Sequence, residues 1–226
     1  MNLMENLAKY IDHTLLKPEA TEKDIRRVIK EAIKYNFATV FVAPSWTKEA
    51  KKLLEGSKVK LGCPVGFPFG METIETKVFS AKKALEDGAE ELDMVINIGR
   101  LKSGDYDYLR KEMEAIIKIK EKGIIFKVII ETGYLTDEEK VKLSLLAKDC
   151  GADFVKTSTG ILTTGAKVED IKLLKKVLGD YPKIKASGGI RDLKTCLEMI
   201  SAGAERIGTS SSIKIIEEYL SKRLQR

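Results

Sequence analysis

One histidine, one tryptophan, five prolines and three cysteines are all that this chain of 226 residues offers of those types. The cysteines, Cys63, Cys150 and Cys196, are scattered and show no CxxC spacing. A zinc site needs several soft ligands close together, so no metal is expected, and nothing in the chain calls for any other cofactor. Scattered, odd-numbered thiols read as reduced residues buried as small apolar side chains, the pattern of a cytoplasmic protein. No apolar run approaches the roughly 18 residues of a membrane span. The first residues, Met1-Asn2-Leu3-Met4-Glu5-Asn6, lack an apolar signal core, so we expect a cytoplasmic chain without a membrane partner. No G-x-x-x-x-G-K-[ST] occurs, and no G-x-G-x-x-G follows the first strand candidate, which removes the common nucleotide-binding fingerprints. Four asparagines and one glutamine beside abundant Lys and Glu give the composition found in thermophilic proteins.

What is present is a core and a well-mixed surface. Hydrophobic residues make up 43% and charged residues 33%, enough for one sizeable soluble domain spanning 1–226. Lys+Arg 40 against Asp+Glu 34 leaves +6, and the signs alternate along the chain instead of gathering in a patch or arm. A nucleic-acid partner is therefore not expected.

Short β-rich runs alternate with amphipathic stretches from end to end. Strands are expected at 10–14, 39–43, 59–66, 91–97, 126–131, 153–157, 183–186 and 206–209, most of them ending in Gly, Pro, Ser or Thr. Helices are expected at 21–35, 75–87, 106–122, 137–149, 168–178, 192–201 and 212–223. In the first, Ile25, Val28, Ile29, Ala32 and Ile33 recur at i, i+3, i+4, i+7 and i+8, one apolar face. Eight βα units in a chain of this length favour a closed (β/α)8 TIM barrel. Alternation alone also admits an open doubly wound sheet.

Inward positions of such a barrel are normally Val, Ile or Leu. Here Asp93, Lys127, Lys156 and Lys185 interrupt four apolar strand runs, and Asp12 ends a fifth. A buried unpaired charge costs several kcal/mol, so these groups are paired, neutralised or functional. Taken singly, each lysine could snorkel outward at a strand end. Crowded into one barrel mouth, lysines repel one another and resist charging, which leaves a nucleophilic amine suited to imine chemistry. Ser187-Gly188-Gly189-Ile190-Arg191 follows the seventh strand and Gly208-Thr209-Ser210-Ser211 the eighth. Loops at those two places are the usual phosphate site of this barrel class, with glycines letting backbone N–H groups approach an anion. A plain tight turn and a helix cap are the alternative reading.

Seven segments, in order, carry a resemblance. They are Ile11–Pro18, Gly66–Gly70, Glu91–Asn97, Lys127–Thr132, Phe154–Gly160, Lys185–Arg191 and Arg206–Ser211, and together the chain resembles the deoxyribose-phosphate aldolase family over nearly its whole length. The resemblance implies a class I aldolase that reversibly cleaves 2-deoxy-D-ribose 5-phosphate to acetaldehyde and D-glyceraldehyde 3-phosphate. It implies Lys156 of Lys-Thr-Ser-Thr-Gly as the imine-forming lysine, Lys185 as the lysine that perturbs it, and Asp93 as a partner in proton relay. Around the substrate it implies Asp12, Thr14, Lys127, Thr159 and Gly160, and for the phosphate Gly188, Gly189, Arg191, Gly208, Ser210 and Ser211. It further implies a homo-oligomer, dimer or tetramer. Two positions depart from the family pattern: Phe41 stands where relatives often carry cysteine, and Ile161 where many carry Phe or Lys. The same fold serves phosphosugar isomerases, other aldolases and non-catalytic phospholigand-binding barrels. Lys156, Lys185 and Asp93 together argue for aldol chemistry.

Overall fold

Side-chain caps set where most helices begin. Thr21 and Asp24 form a capping box at the start of α1 (Glu22–Tyr35), and Thr136 with Glu139 does the same for α6 (Asp137–Asp149). Thr73 caps α3 (Ile74–Glu86), Asp105 caps α5 (Tyr106–Ile117) and Asp192 caps α8 (Leu193–Ala202), each accepting a backbone N–H from three residues on. The remaining helices are α2 (Thr47–Leu53), α4 (Ile98–Lys102), α7 (Val168–Leu178) and α9 (Ser212–Leu224). The computed structural model describes residues 7–224. The first six residues, read above for a signal core, and the last two lie outside the described residues.

The strands are β1 (Ile11–Leu15), β2 (Thr39–Val42), β3 (Lys60–Val65), β4 (Glu91–Val95), β5 (Ile125–Ile129), β6 (Phe154–Lys156), β7 (Lys183–Ser187) and β8 (Arg206–Thr209). All eight are parallel in sequence order, and the sheet closes because β1 also pairs with β8, Asp12 opposite Gly208. Closure decides between the two architectures left open by alternation: this is a (β/α)8 barrel. Among the described residues no helix is long and apolar enough to cross a membrane.

Strand alternation splits the buried residues into two sets. Ile11, Val40, Leu61, Leu92, Met94, Val128, Val155, Ile184 and Ile207 belong to one hydrophobic core shared with the helix faces. Their neighbours at odd offsets, Asp12, Phe41, Asp93, Lys127, Lys156 and Lys185, are buried too and therefore point into the barrel. His13 faces the helix layer, where Nε2 lies 2.9 Å from Glu31 Oε2 and the ring meets Phe37. The three cysteines are free and buried. Burial pushes the Cys63 thiol up to about 11 and that of Cys196 up to about 12, so both are unreactive near neutrality.

Three elements differ from the sequence expectation. The helix expected over 106–122 ends at Ile117, where Lys120 Nζ turns to Asp153 Oδ2 at 2.6 Å and Gly123 takes φ 95°. α2 and α4, of seven and five residues, are too short for their apolar spacing to stand out. Strand ends otherwise move by one or two residues.

Candidate active site

The barrel interior holds a connected set of charges. At its lower level Arg206 Nη1 donates to Asp12 Oδ1 at 2.6 Å, to Thr39 Oγ1 at 2.8 Å and to Glu91, which Nη2 also reaches at 3.3 Å. Lys127 bridges upward from Glu91 to Asp93 Oδ1 at 2.8 Å. Lys185 lies between Asp12 Oδ2 at 2.5 Å and Asp93 Oδ2 at 2.7 Å. Lys156, directly opposite Lys185 in the β6–β7 register, donates to the same Asp93 Oδ2 at 3.0 Å. Phe41 seals one side, its ring centroid 4.0 Å from Lys185 Nζ and 4.6 Å from Lys127 Nζ. Gly62 makes room for that ring, because a Cβ there would lie 2.3 Å from it.

Charge counting singles out one lysine. The carboxylates Asp12, Glu91 and Asp93 face the cations Lys127, Lys156, Lys185 and Arg206. With every group ionised the interior holds one surplus positive charge, and release of one lysine proton removes it. Lys185 has two carboxylate partners within 3 Å and Lys127 likewise has two, whereas Lys156 has one. Burial lowers the Lys156 amine to about 8, against the pull of Asp93 and with the ammonium groups of Lys185 and Lys127 adding to the fall. Burial alone would raise the Asp93 carboxyl, but Lys127, Lys185 and Lys156 outweigh it and hold it well below its usual range. For Lys127, burial works downward and loses to Asp93, Glu91 and Asp12, so this amine is held charged.

Above the charges opens a cavity of about 310 Å³. Lys156 is the only lysine of the interior cluster among its lining residues, with 6% of its side chain exposed against 1% for Lys185 and none for Lys127. Thr14, Thr159 and Gly160 line it as expected. Asp12, Asp93, Lys127 and Lys185 do not line it. They lie beneath its floor, and Asp12 and Lys127, expected around the substrate, are both fully buried among the counterions there. Toward the rim come Gly188, Gly189, Arg191, Gly208 and Ser210. Ser211 stands apart from the lining, its N–H bound to Thr209 Oγ1 at 2.9 Å just before α9. Gly188 takes φ 92°, and a Cβ on it would come within 2.7 Å of Gly165 Cα and 3.0 Å of Gly160 Cα, so these loops touch backbone to backbone.

Several contributors were not singled out from the sequence. Glu91 and Arg206 begin their strands and resemble solvent-facing ends, yet each stands two residues before an inward position, Asp93 and Gly208, and parity could have exposed them. Lys17 lines the rim and adds a cation that Ile161, 57% exposed, does not supply. Phe67, in the Gly66–Gly70 loop that the sequence offered as either lining the mouth or turning the chain, does line the cavity, its ring 6.0 Å from Lys156 Nζ. Glu131 is buried at φ 53°, a left-handed conformation that costs a non-glycine residue about 1–3 kcal/mol. It accepts Thr159 N–H at 2.7 Å and Thr163 Oγ1–H at 2.5 Å, which fixes the β6–α7 loop beside Lys156. No local sequence signal marks that role.

A recessed lysine amine held partly neutral above a fixed carboxylate is equipped to form an imine with an aldehyde. The comparisons with known proteins agree with that chemistry. The deoxyribose-phosphate aldolase of Thermococcus gammatolerans is 57% identical over 215 residues, covering 94% of this chain and 96% of its own. That of Clostridium tetani is 54% identical over 212 residues, covering 94% and 98%. The solved deoxyribose phosphate aldolase of Aeropyrum pernix, described as tetrameric, superposes with a TM-score of 0.90 at 37% identity over 97% of this chain and 93% of its own. The family model for the DeoC/LacD family aldolases matches residues 6–216, and the chain belongs to that family.

Proposed function

We propose that this protein is a class I aldolase that reversibly cleaves 2-deoxy-D-ribose 5-phosphate to acetaldehyde and D-glyceraldehyde 3-phosphate, in the breakdown of deoxyribose phosphates. The observation that carries the reading is Lys156, the one amine of the buried cluster open to the cavity and brought down to about 8 by burial. Its neutral Nζ attacks C1 of the open-chain aldehyde, and loss of water gives a protonated imine. Acetaldehyde keeps two carbons, so the bond that breaks is C2–C3, its electrons flowing into the imine as the C3 hydroxyl gives up its proton. The enamine left behind is protonated at C2 and hydrolysed. Asp93, hydrogen-bonded to Lys156, and Lys185, bonded to the same Asp93 oxygen, take up and return these protons, a contribution of about 10²–10⁴-fold.

The phosphate end of the substrate lies between the Gly188–Gly189 turn and Gly208–Ser210, with Lys17 and Arg191 at the rim and the N-terminus of α9 nearby. Remote binding of the dianion positions C1 over Lys156. Tetrameric assembly of the Aeropyrum pernix relative supports a homo-oligomer, dimer or tetramer, and the alternation of charge signs along the chain supports a small-molecule substrate over nucleic acid. We place the enzyme in the cytoplasm.

Borohydride reduction in the presence of acetaldehyde tests the chemistry. One ethyl group should be added to the intact mass, and peptide mapping should locate it on Lys156. Trapping should slow about tenfold per pH unit below about 8, as the amine becomes protonated. No adduct, or an adduct on Lys127 or Lys185, overturns the assignment. A second expectation concerns the rim. Ser210→Glu puts a carboxylate against the phosphate and should raise KM for the phosphate ester at least tenfold, about 1.4 kcal/mol. Unphosphorylated 2-deoxyribose should be nearly unaffected. Equal loss on both substrates would show that the phosphate binds elsewhere.

A further inference from the structure

We propose that Glu91 and Arg206, which lie below the cavity floor, are positioning residues that fix how much ammonium charge the interior tolerates and so set the pH range in which Lys156 is a nucleophile. The inference rests on the reading above, in which Lys156 forms the imine.

One guanidinium orders both sides of the cluster. Arg206 holds Asp12 by Oδ1, which leaves Asp12 Oδ2 turned to Lys185, and it holds Glu91, which binds Lys127. Lys127 in turn occupies Asp93 Oδ1. The oxygen left over, Asp93 Oδ2, is the one that Lys185 and Lys156 share. Neither Glu91 nor Arg206 lines the cavity, and the Glu91 side chain is fully buried. Each acts through the groups above it.

Every element around Lys156 can be counted. The charged groups are Asp12 from β1, Glu91 and Asp93 from β4, Lys127 from β5, Lys185 from β7 and Arg206 from β8; Glu131, just beyond β5, is buried too but is spent on Thr159 N–H and Thr163 Oγ1–H. Thr39 and Phe41 of β2 and Gly62 and Pro64 of β3 are uncharged, as is Phe67 above, and Lys60, paired with Thr39 at the start of β3, is only half-buried. Lys17 and Arg191 stand at the cavity rim. Within the ion-paired set beneath the cavity one surplus positive charge is relieved by a neutral Lys156. Removing the Arg206 charge leaves three cations for three carboxylates, a balance that keeps Lys156 protonated. Removing the Glu91 charge doubles the surplus and expels the Lys156 proton more readily. Removing both restores the native excess. A purely structural role predicts no such alternation of sign.

The test is the pH dependence of acetaldehyde–borohydride trapping in the full chain, with the label mapped by peptide mass. Relative to the unchanged protein, Arg206→Met should move the midpoint up by about one pH unit and Glu91→Gln down by about one, roughly a tenfold change each way in free amine at fixed pH. The double variant should return close to the native midpoint. Arg206→Lys, which keeps the charge, should trap with the native midpoint even where turnover falls, and it serves if Arg206→Met does not fold. Midpoints that shift the same way in both single variants, or stay fixed while rates drop, overturn the proposal. If the unchanged protein is not labelled on Lys156, the failure belongs to the imine assignment instead.

Discussion

Lys156→Arg should abolish both turnover and borohydride trapping, whereas Lys185→Leu should keep trapping but move it to higher pH. A guanidinium stays charged and forms no comparable imine, so the first substitution removes the nucleophile outright. Residual turnover should lie at least about 10⁴-fold below the unchanged enzyme, a loss of more than about 5 kcal/mol in transition-state stabilisation. The second removes one of the two ammonium groups that share Asp93 Oδ2. Asp93 then serves Lys156 more strongly, and three cations face three carboxylates, so Lys156 holds its proton longer. The midpoint should rise by about one pH unit or more. Turnover should fall further than trapping does, because the relay behind the imine is gone as well. The charge repulsion expected between the two lysines is present but is second to burial in lowering Lys156. Trapping in Lys185→Leu should therefore persist, and peptide mapping of the reduced adduct reads this directly. Normal trapping in Lys156→Arg with none in Lys185→Leu would reverse the two roles.

How far the sequence carried depends on whether a feature is local. The barrel was legible because strand parity and βα alternation are properties of neighbouring residues, and the inward lysines were visible as charges inside apolar runs. Lys118 to Lys122 read as helix because Lys and Glu favour helix anywhere, and only the contact between Lys120 and Asp153, 33 residues on, shows why the chain turns away. Glu91 and Arg206 were hidden for the same reason. A charge at a strand's first residue is ordinarily solvated, and their burial follows from a closed barrel in which the side chains of β4 and β8 meet across the interior. Glu131 needs a left-handed backbone that its residue type does not announce. Asp12 and Lys127 were correctly read as inward, but depth along the barrel axis separates a cavity-lining side chain from one buried beneath, and depth is not written in parity.

Loss of the buried Lys77–Glu112 pair should cost a large part of the fold's stability. Lys77, on α3, spends all three of its donors: on Glu112 Oε1 at 2.6 Å, Val95 O at 2.7 Å and Gly70 O at 2.8 Å, with both side chains fully buried. Glu112, on α5, uses Oε2 to accept Asn97 N–H at 3.1 Å. The pair thus joins α5, the end of β4 and the loop that carries Phe67 over Lys156. Lys77→Met keeps the length of the side chain but strands a carboxylate and two carbonyls, a penalty of about 3–5 kcal/mol. For a chain of this size that lowers Tm by on the order of 10 °C. Glu112→Gln added to Lys77→Met should recover part of the loss, since it removes the unpaired charge. Burial already holds the Glu112 carboxyl above its ordinary value, with Lys77 working against the rise. An acid whose folded value is raised favours the fold while protonated, and that contribution is lost as pH climbs through the folded value. Without Lys77 the rise grows, so Lys77→Met should lose more stability at pH 8 than at pH 5 relative to the unchanged protein. Thermal unfolding at the two pH values measures this. A variant with unchanged Tm, or one whose deficit is the same at both pH values, would show that Glu112 finds another partner. KM should rise in the folded variant as well, because the loop bearing Phe67 loses its anchor at Gly70.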